Sequence, residues 1–308
     1  MTFRLTILGS NSAIPAHGRF PSASVLNIRE QLYLIDCGEG TQMRMNDFKI
    51  KRSRIHQIFI SHLHGDHIFG LAGLITSFSL MGRKEPLTIY APAGLREIIE
   101  VQFFHTQTTP VYELNFVEID TGIHKKIFED ERVKVYSIPL EHRIPTCGFL
   151  FREQPDEPNF LIEKIAQYQI PVSKINEIKK GADFITADGK LIPNTELVKS
   201  APSPRSFAYC SDTIYSEKII PWIKGVDMLY HETTFLDNMS DYALLTKHTT
   251  ARQAGIIARK AAAGMLITGH YSTRYENLDP ILAEAREEFP NTFLGLDGER
   301  FDVPRKEH

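Results

Sequence analysis

Three histidines and one aspartate fall within six consecutive positions: His62, His64, Asp66 and His67, in the stretch Ser61-His62-Leu63-His64-Gly65-Asp66-His67. Neutral imidazole and carboxylate are the donors a divalent cation such as zinc prefers. Polar groups this close repel and desolvate one another unless a cation holds them. An apolar run, Ile55 to Ile60, stands directly before the cluster and reads as a buried strand. Other donor residues recur in the same setting. Val133 to Ile138 leads into His142, Ser206 to Tyr209 into Asp212, and Met265 to Thr268 into His270. Four strands thus each deliver a candidate ligand at one end, and α/β folds assemble their sites in such loops.

Counting donors gives two shells. His62, His64, His142 and Asp212 complete one, while Asp66, His67, His270 and the other oxygen of Asp212 complete a second. Asp212 would bridge them. Two divalent ions ~3.5–4 Å apart activate a water as nucleophile and steady a displaced oxygen, so the expected chemistry is hydrolysis.

The elements that must hold these residues alternate between strand and helix. Residues 3–8 read as a first strand, and Ser24 to Ile28 with Gln31 to Ile35 as a hairpin. The second arm of the hairpin ends in Asp36-Cys37-Gly38-Glu39-Gly40-Thr41-Gln42. Asp36 there reads as a helix cap or as a partner for a metal-bound histidine, the cap being the simpler reading. A helix is expected near Thr41 to Met45, a second over Phe69 to Leu80 ended by Gly82, and a third over Leu95 to Phe104. Leu87 to Tyr90 and parts of 114–138 read as strands. This is the pattern of a layered α/β domain.

Composition sets limits. The 308 residues are 42% hydrophobic, enough for a core and against disorder. No apolar run approaches the ~18 residues of a membrane span, so no membrane association is expected. Cys37, Cys147 and Cys210 form no CxxC pair and read as reduced packing residues of a cytoplasmic protein. A net charge of −3 gives no general attraction to nucleic acid, so an RNA substrate would need local basic patches.

The pattern His62-x-His64-x-Asp66-His67, with distant His142, Asp212 and His270, resembles the metallo-β-lactamase superfamily. That resemblance implies an αβ/βα four-layer sandwich with the metals at one edge. Asp36-Cys37-Gly38-Glu39-Gly40-Thr41, His231-Glu232-Thr233-Thr234, His248-Thr249-Thr250 and the closing Gly269-His270-Tyr271-Ser272 are similar to signatures of the ribonuclease Z family. The family resemblance covers the chain to about residue 301. It implies an endoribonuclease that removes 3′ trailers from tRNA precursors, cutting just 3′ of the discriminator nucleotide. The tRNA keeps a 3′-hydroxyl and the trailer a 5′-phosphate. The resemblance also implies two zinc ions, with manganese or iron as alternatives, and a homodimer.

The resemblance assigns Asp66 as the proton acceptor: one oxygen on the metal, the other taking the proton of the water. Glu232 and His248 become a proton-donating pair for the leaving oxygen, the carboxylate orienting the imidazole and favouring its charged form. His231 is expected to be structural. The helix expected over Ala251 to Ala262, entered through Thr249 and Thr250, offers N–H groups for a phosphate. Residues 152–200 break the strand–helix rhythm with four prolines and Lys174, Lys179, Lys180 and Lys190. The segment resembles the protruding arm, inserted into the single domain, with which the family grips tRNA, although Pro171-Val172-Ser173-Lys174 stands where a Gly-Pro pair is common. Within it, Leu161 to Tyr168 reads as a helix and Asp188-Gly189 as a hairpin turn. Lys174, Lys179, Lys180, Thr249, Thr250 and Arg274 are the candidate substrate contacts. His17, His56, His105, His124 and His308 have no ligand-like company. Two other functions fit parts of the pattern: a small-molecule ester, lactone or sulfate hydrolase, and a non-catalytic RNA-binding scaffold.

Overall fold

In a computed structural model describing residues 1–305, the chain forms two compact units. One comprises Met1–Arg152 and Arg205–Val303, and the other residues 153–204 with 304–305. The larger unit contains two seven-stranded sheets. In chain order the first uses β1 (Phe3–Gly9), β2 (Ala23–Ile28), β3 (Gln31–Ile35), β4 (Ile55–Phe59), β5 (Leu87–Ala91) and β6 (Leu114–Glu118). The second begins with β7 (Lys126–Glu129), β8 (Val133–Pro139) and β9 (Cys147–Glu153).

The smaller unit contains the pairs β10 (Asn159–Phe160) with β13 (Val198–Lys199), and β11 (Phe184–Ile185) with β12 (Leu191–Ile192). The turn of the second pair carries Gly189 at φ 85°, as the Asp188-Gly189 pair predicts. Helices α5 (Glu163–Tyr168), α6 (Ile175–Lys179) and α7 (Asn194–Leu197) complete this unit. Its core is Ile170, Ile178, Ile192 and Leu197. Helix α5 starts two residues later than expected, because Asn159 and Phe160 are drawn into a strand pair.

The larger unit resumes with β14 (Ser206–Cys210), β15 (Met228–Glu232), β16 (Met265–Gly269), β17 (Thr292–Leu294) and β18 (Arg300–Asp302). The sheet orders are β18-β1-β2-β3-β4-β5-β6 and β17-β16-β15-β14-β9-β8-β7. Strands β3 to β6 are parallel, as are β14 to β17.

Strand alternation sorts side chains into layers. Phe3, Leu5, Ile7, Tyr33 and Phe59 of the first sheet share a core with Phe149, Phe151, Phe207, Tyr209 and Tyr230 of the second. Phe59 stacks on Tyr90 at 4.9 Å and meets Phe151 edge-on at 5.3 Å. Pairs of this kind are worth roughly 0.5–1.5 kcal/mol each beyond their burial. The opposite face of the first sheet (Leu8, Val25, Leu34, Ile58, Ile89) packs on α1 (Thr41–Asp47), α3 (Leu71–Leu80) and α4 (Leu95–His105). The opposite face of the second (Ala208, Leu229, Leu266) packs on α10 (Ala251–Lys260) and α11 (Asp279–Glu288). The order helix, sheet, sheet, helix is the four-layer sandwich.

One expected helix starts late. The helix expected over Phe69 to Leu80 is α3, beginning at Leu71, and a short α2 (Gly65–Ile68) that was not expected precedes it, with Phe69 and Gly70 between them. Gly70 lies so close to the 36–40 loop that a Cβ there would sit 2.2 Å from the Gly38 carbonyl. The Gly70 amide also donates to Cys37 O at 2.9 Å. The break therefore ties the histidine cluster to the loop carrying Asp36. Among the described residues no helix is long and apolar enough to cross a membrane.

Candidate metal centre and active site

Strands β4, β8, β14 and β16 end where His62, His142, Asp212 and His270 begin their loops. Beside a third group of Asp212, His248 and His270, the cluster holds the two expected groups of mutually close ligand atoms: His62, His64, His142 with Asp212, and Asp66, His67 with His270. Asp212 stands between them. Its Oδ1 is 3.7 Å from His62 Nε2 and 3.8 Å from His142 Nε2. Its Oδ2 is 3.1 Å from His67 Nε2 and 3.3 Å from His270 Nε2. Asp66 Oδ2 lies 3.6 Å from His67 Nε2 and 3.5 Å from His270 Nε2.

The rings are aimed by their other nitrogens. His67 Nδ1 pairs with Asp36 Oδ2 at 2.8 Å, and His142 Nδ1 with Lys247 O at 2.9 Å. His62 Nδ1 is 3.1 Å from Ser61 Oγ, and His270 Nδ1 is 3.0 Å from Thr234 Oγ1. Each contact turns the Nε2 lone pair toward the cluster, the usual arrangement around metal-ligating imidazole. His67 Nε2 and His270 Nε2 are buried without a hydrogen-bond partner. His62 Nε2 faces His64 Nδ1 at 3.0 Å. Buried acceptors converging this way are costly unless a cation takes their lone pairs, so the residues present fit metal ions. Asp36, Asp212 and His270 also hold left-handed backbone at φ 56°, 59° and 57°. That strain is on the order of 1–3 kcal/mol apiece, of the kind stored at functional sites.

Charge follows the same geometry. Burial depresses the His62 imidazole, and neighbouring His67 depresses it further. Burial alone would raise the Asp66 and Asp212 carboxyls, but the surrounding imidazoles outweigh it and hold both low. The two aspartates are anions, and His62 is a neutral donor.

Asp36 is not a helix cap. Helix α1 begins after Gly40 with no side-chain cap. The fully buried Asp36 carboxylate instead accepts from Ser61 N at 2.8 Å, Ser61 Oγ at 2.9 Å, Tyr209 OH at 2.8 Å and His67. Asp36→Ala would free His67 to rotate. Cation affinity is expected to fall about 10–100-fold, which zinc titration against a chromogenic chelator would measure.

Beside the cluster, buried Glu232 accepts from Thr213 N at 2.6 Å and Thr249 N at 3.1 Å. Both its oxygens lie 3.1 Å from His248 Nδ1. Burial opposes a charge on His248, but the Glu232 carboxylate overrides it and pushes the imidazole up to about 9. The Glu232 carboxylate thus favours the protonated form of His248. His231 is buried, with Nδ1 on Glu232 O, as expected of a structural residue.

A cavity of about 340 Å³ opens on these groups, lined by Asp66, His142, Asp212, His248, His270 and Arg274 among others. Sequence reading missed three contributors. The Ala13 amide donates to Asp66 Oδ2 at 2.8 Å, Tyr209 holds Asp36, and Thr234 bridges Glu232 and His270. These pairings join residues far apart in the chain and leave no local pattern.

The curated relatives decide the family. Ribonuclease Z of Parabacteroides distasonis is 46% identical over 302 residues, 98% of this chain and 99% of that protein. Ribonuclease Z of Bacteroides fragilis is 45% identical over 296 residues, 96% of this chain and 97% of that one. The chain belongs to the ribonuclease Z family. Residues 3–155 also match a family model described as anti-Pycsar protein Apyc1. Among solved structures, the short form of human tRNase Z superposes with a TM-score of 0.71 at 26% identity, covering 98% of this chain and 99% of that one. The metallo-β-lactamase fold protein YhfI of Bacillus subtilis does so at 0.68 and 16% identity, covering 98% and 100%. The four-layer sandwich is therefore the metallo-β-lactamase fold.

The remaining candidates are placed as follows. Lys174, Lys179 and Lys180 belong to the smaller unit, where Lys174 pairs with Glu177 at 2.8 Å and Lys179 stands 3.9 Å from Glu157. Thr249 and Thr250 do not fit the expected phosphate contact. Both are fully buried. Their hydroxyls bond Thr213 O and Asp237 Oδ1, and their amides bond Glu232 and the Gln253 side chain of a capping box. His17 contacts Thr273 O at 2.9 Å and His124 stacks on Trp222, whereas His308 lies outside the described residues.

Proposed function

We propose that this chain is the tRNA 3′-processing endoribonuclease of its cell, using two zinc ions held by His62, His64, His142 and Asp212 and by Asp66, His67, Asp212 and His270. The carrying observation is the pair of ligand groups shared through Asp212 beside the Glu232–His248 pair. Human tRNase Z is named for its action on tRNA, and the identity to bacterial ribonuclease Z proteins supports the same reaction here.

When bound, the cations supply Lewis acidity that activates water and offsets charge on the phosphate. The protein supplies the proton traffic. The Ala13 amide and the His67 and His270 rings engage Asp66 Oδ2, leaving Oδ1 to take the proton of the attacking water. Glu232 holds His248 Nδ1, so His248 Nε2 carries the proton to the departing 3′-oxygen of the discriminator nucleotide. That oxygen leaves as a hydroxyl on the tRNA, and the phosphate stays on the trailer. A small-ester hydrolase would not need this donor for an activated leaving group, and a scaffold would need neither group. Three buried free cysteines support a reducing, cytoplasmic setting. The family resemblance supports a homodimer.

The test is incubation with a 3′-extended tRNA precursor. The expected product ends in a 3′-hydroxyl at the discriminator nucleotide. Absence of cleavage with zinc, manganese or cobalt overturns the reading. The donor assignment has its own signature. Since His248 must be protonated, kcat should fall as pH rises through about 9. Glu232→Gln removes the charge that raises it, so the falling limb should move down toward the ordinary imidazole value of 6.5. An unmoved limb would assign it to another group.

A further inference from the structure

Two arginines that the ligand pattern does not involve line the same cavity, Arg143 and Arg274. Arg143 directly follows His142, on the side of the His62, His64 and His142 group. Arg274 follows His270 by four residues, on the side of the Asp66, His67 and His270 group. Between these sides lies His248, whose ring is 5.1 Å from that of His142 and 5.4 Å from that of His270.

Both arginines are exposed. Among the described residues neither guanidinium has a carboxylate or carbonyl partner, whereas Arg19, Arg44 and Arg252 are engaged by protein oxygens. Arg274 is nonetheless not loose. Its guanidinium lies 4.9 Å from the Tyr242 ring centroid and 5.7 Å from that of Phe235. Those rings meet edge-on at 5.3 Å. Tyr242 and Thr246, one turn apart on α9 (Ser240–Thr246), both face the cavity. Stacking occupies the flat face of a guanidinium and leaves its N–H edge available for an anion. The cavity floor is lined by the carboxylates Asp66 and Asp212, so these two rim cations are suited to a polyanion laid across the floor.

We propose that Arg143 and Arg274 form a clamp that holds the two backbone phosphates flanking the scissile one, with Tyr242 positioning Arg274. This rests on the endoribonuclease reading above. It assigns the cavity to a single-stranded RNA backbone crossing from one metal group to the other, beneath His248. Each arginine contributes a charge-assisted contact.

The test uses a trailer-bearing tRNA precursor carrying one neutral methylphosphonate, one nucleotide before or one after the cut. Arg143→Ala and Arg274→Ala should each raise KM on the unmodified precursor on the order of tenfold. Each should flatten the salt dependence by about one phosphate contact. Each variant should also lose its sensitivity to one of the two methylphosphonates, and the two variants to different ones. Tyr242→Ala should reproduce part of the Arg274→Ala effect, and Tyr242→Phe, which keeps the ring, should restore it. Variants that stay fully sensitive to both substitutions overturn the clamp while the endoribonuclease reading stands. Wild-type protein that hydrolyses bis(4-nitrophenyl) phosphate but not the precursor overturns both.

Discussion

Asp212→Ala will abolish cleavage, with a loss of about 10,000-fold or more, because one carboxylate serves both ligand groups. Oδ1 lies within 3.8 Å of His62 and His142 Nε2, and Oδ2 within 3.3 Å of His67 and His270 Nε2. Without it, Asp66 is the one aspartate left in the cluster, His62, His64 and His142 face no carboxylate, and neither group retains a full set of donors. Metal analysis should find at most one loosely held ion per chain, and circular dichroism should show the sheets intact. Two retained ions with activity within tenfold of wild type would contradict the shared-ligand geometry.

Asp66→Asn separates holding a cation from accepting a proton. The amide keeps the shape of the side chain and an oxygen for the Ala13 amide. It cannot accept the proton that the proposed mechanism assigns to the Asp66 carboxylate, which His67 and His270 hold ionised against the cost of burial. At saturating zinc, kcat should fall on the order of 1,000-fold with little change in KM, the range expected for loss of a general base. Metal content at that zinc level should remain near the wild-type value. An unchanged kcat would move the base to another group.

How much of this was legible in the sequence depends on distance along the chain. His62, His142, Asp212 and His270 could be found because each follows an apolar run that must be a strand, and loops at strand ends are where side chains from different strands converge. The layers were legible for the same reason, since β4, β5, β8, β14 and β16 each carry a run too apolar for a surface. Local patterns could not reveal what depends on strands meeting. Asp36 reads as a cap or as the partner of a histidine, and only its contacts with His67 and with Tyr209, 173 residues away, decide for the second. Thr249 and Thr250 were correctly read as a helix entry. Nothing nearby in sequence shows that Glu232 and the Gln253 side chain already take their amides, leaving none for phosphate. Gly70 is similar: the sequence permits a helix from Phe69, and only the approach of the Gly38 carbonyl to Gly70 shows why it starts at Leu71. Arg143 and Tyr242 carried no signal at all, since an exposed arginine and a tyrosine on a short helix are ordinary until they share a cavity with five metal-ligand candidates.

The most direct measurement is anomalous scattering from crystals of the zinc-loaded protein, recorded on both sides of the zinc edge. The account requires two peaks ~3.5–4 Å apart, one beside His62, His64 and His142 and the other beside Asp66, His67 and His270, with an oxygen of Asp212 on each. A single peak, or two peaks that leave Asp212 uncoordinated, would contradict it.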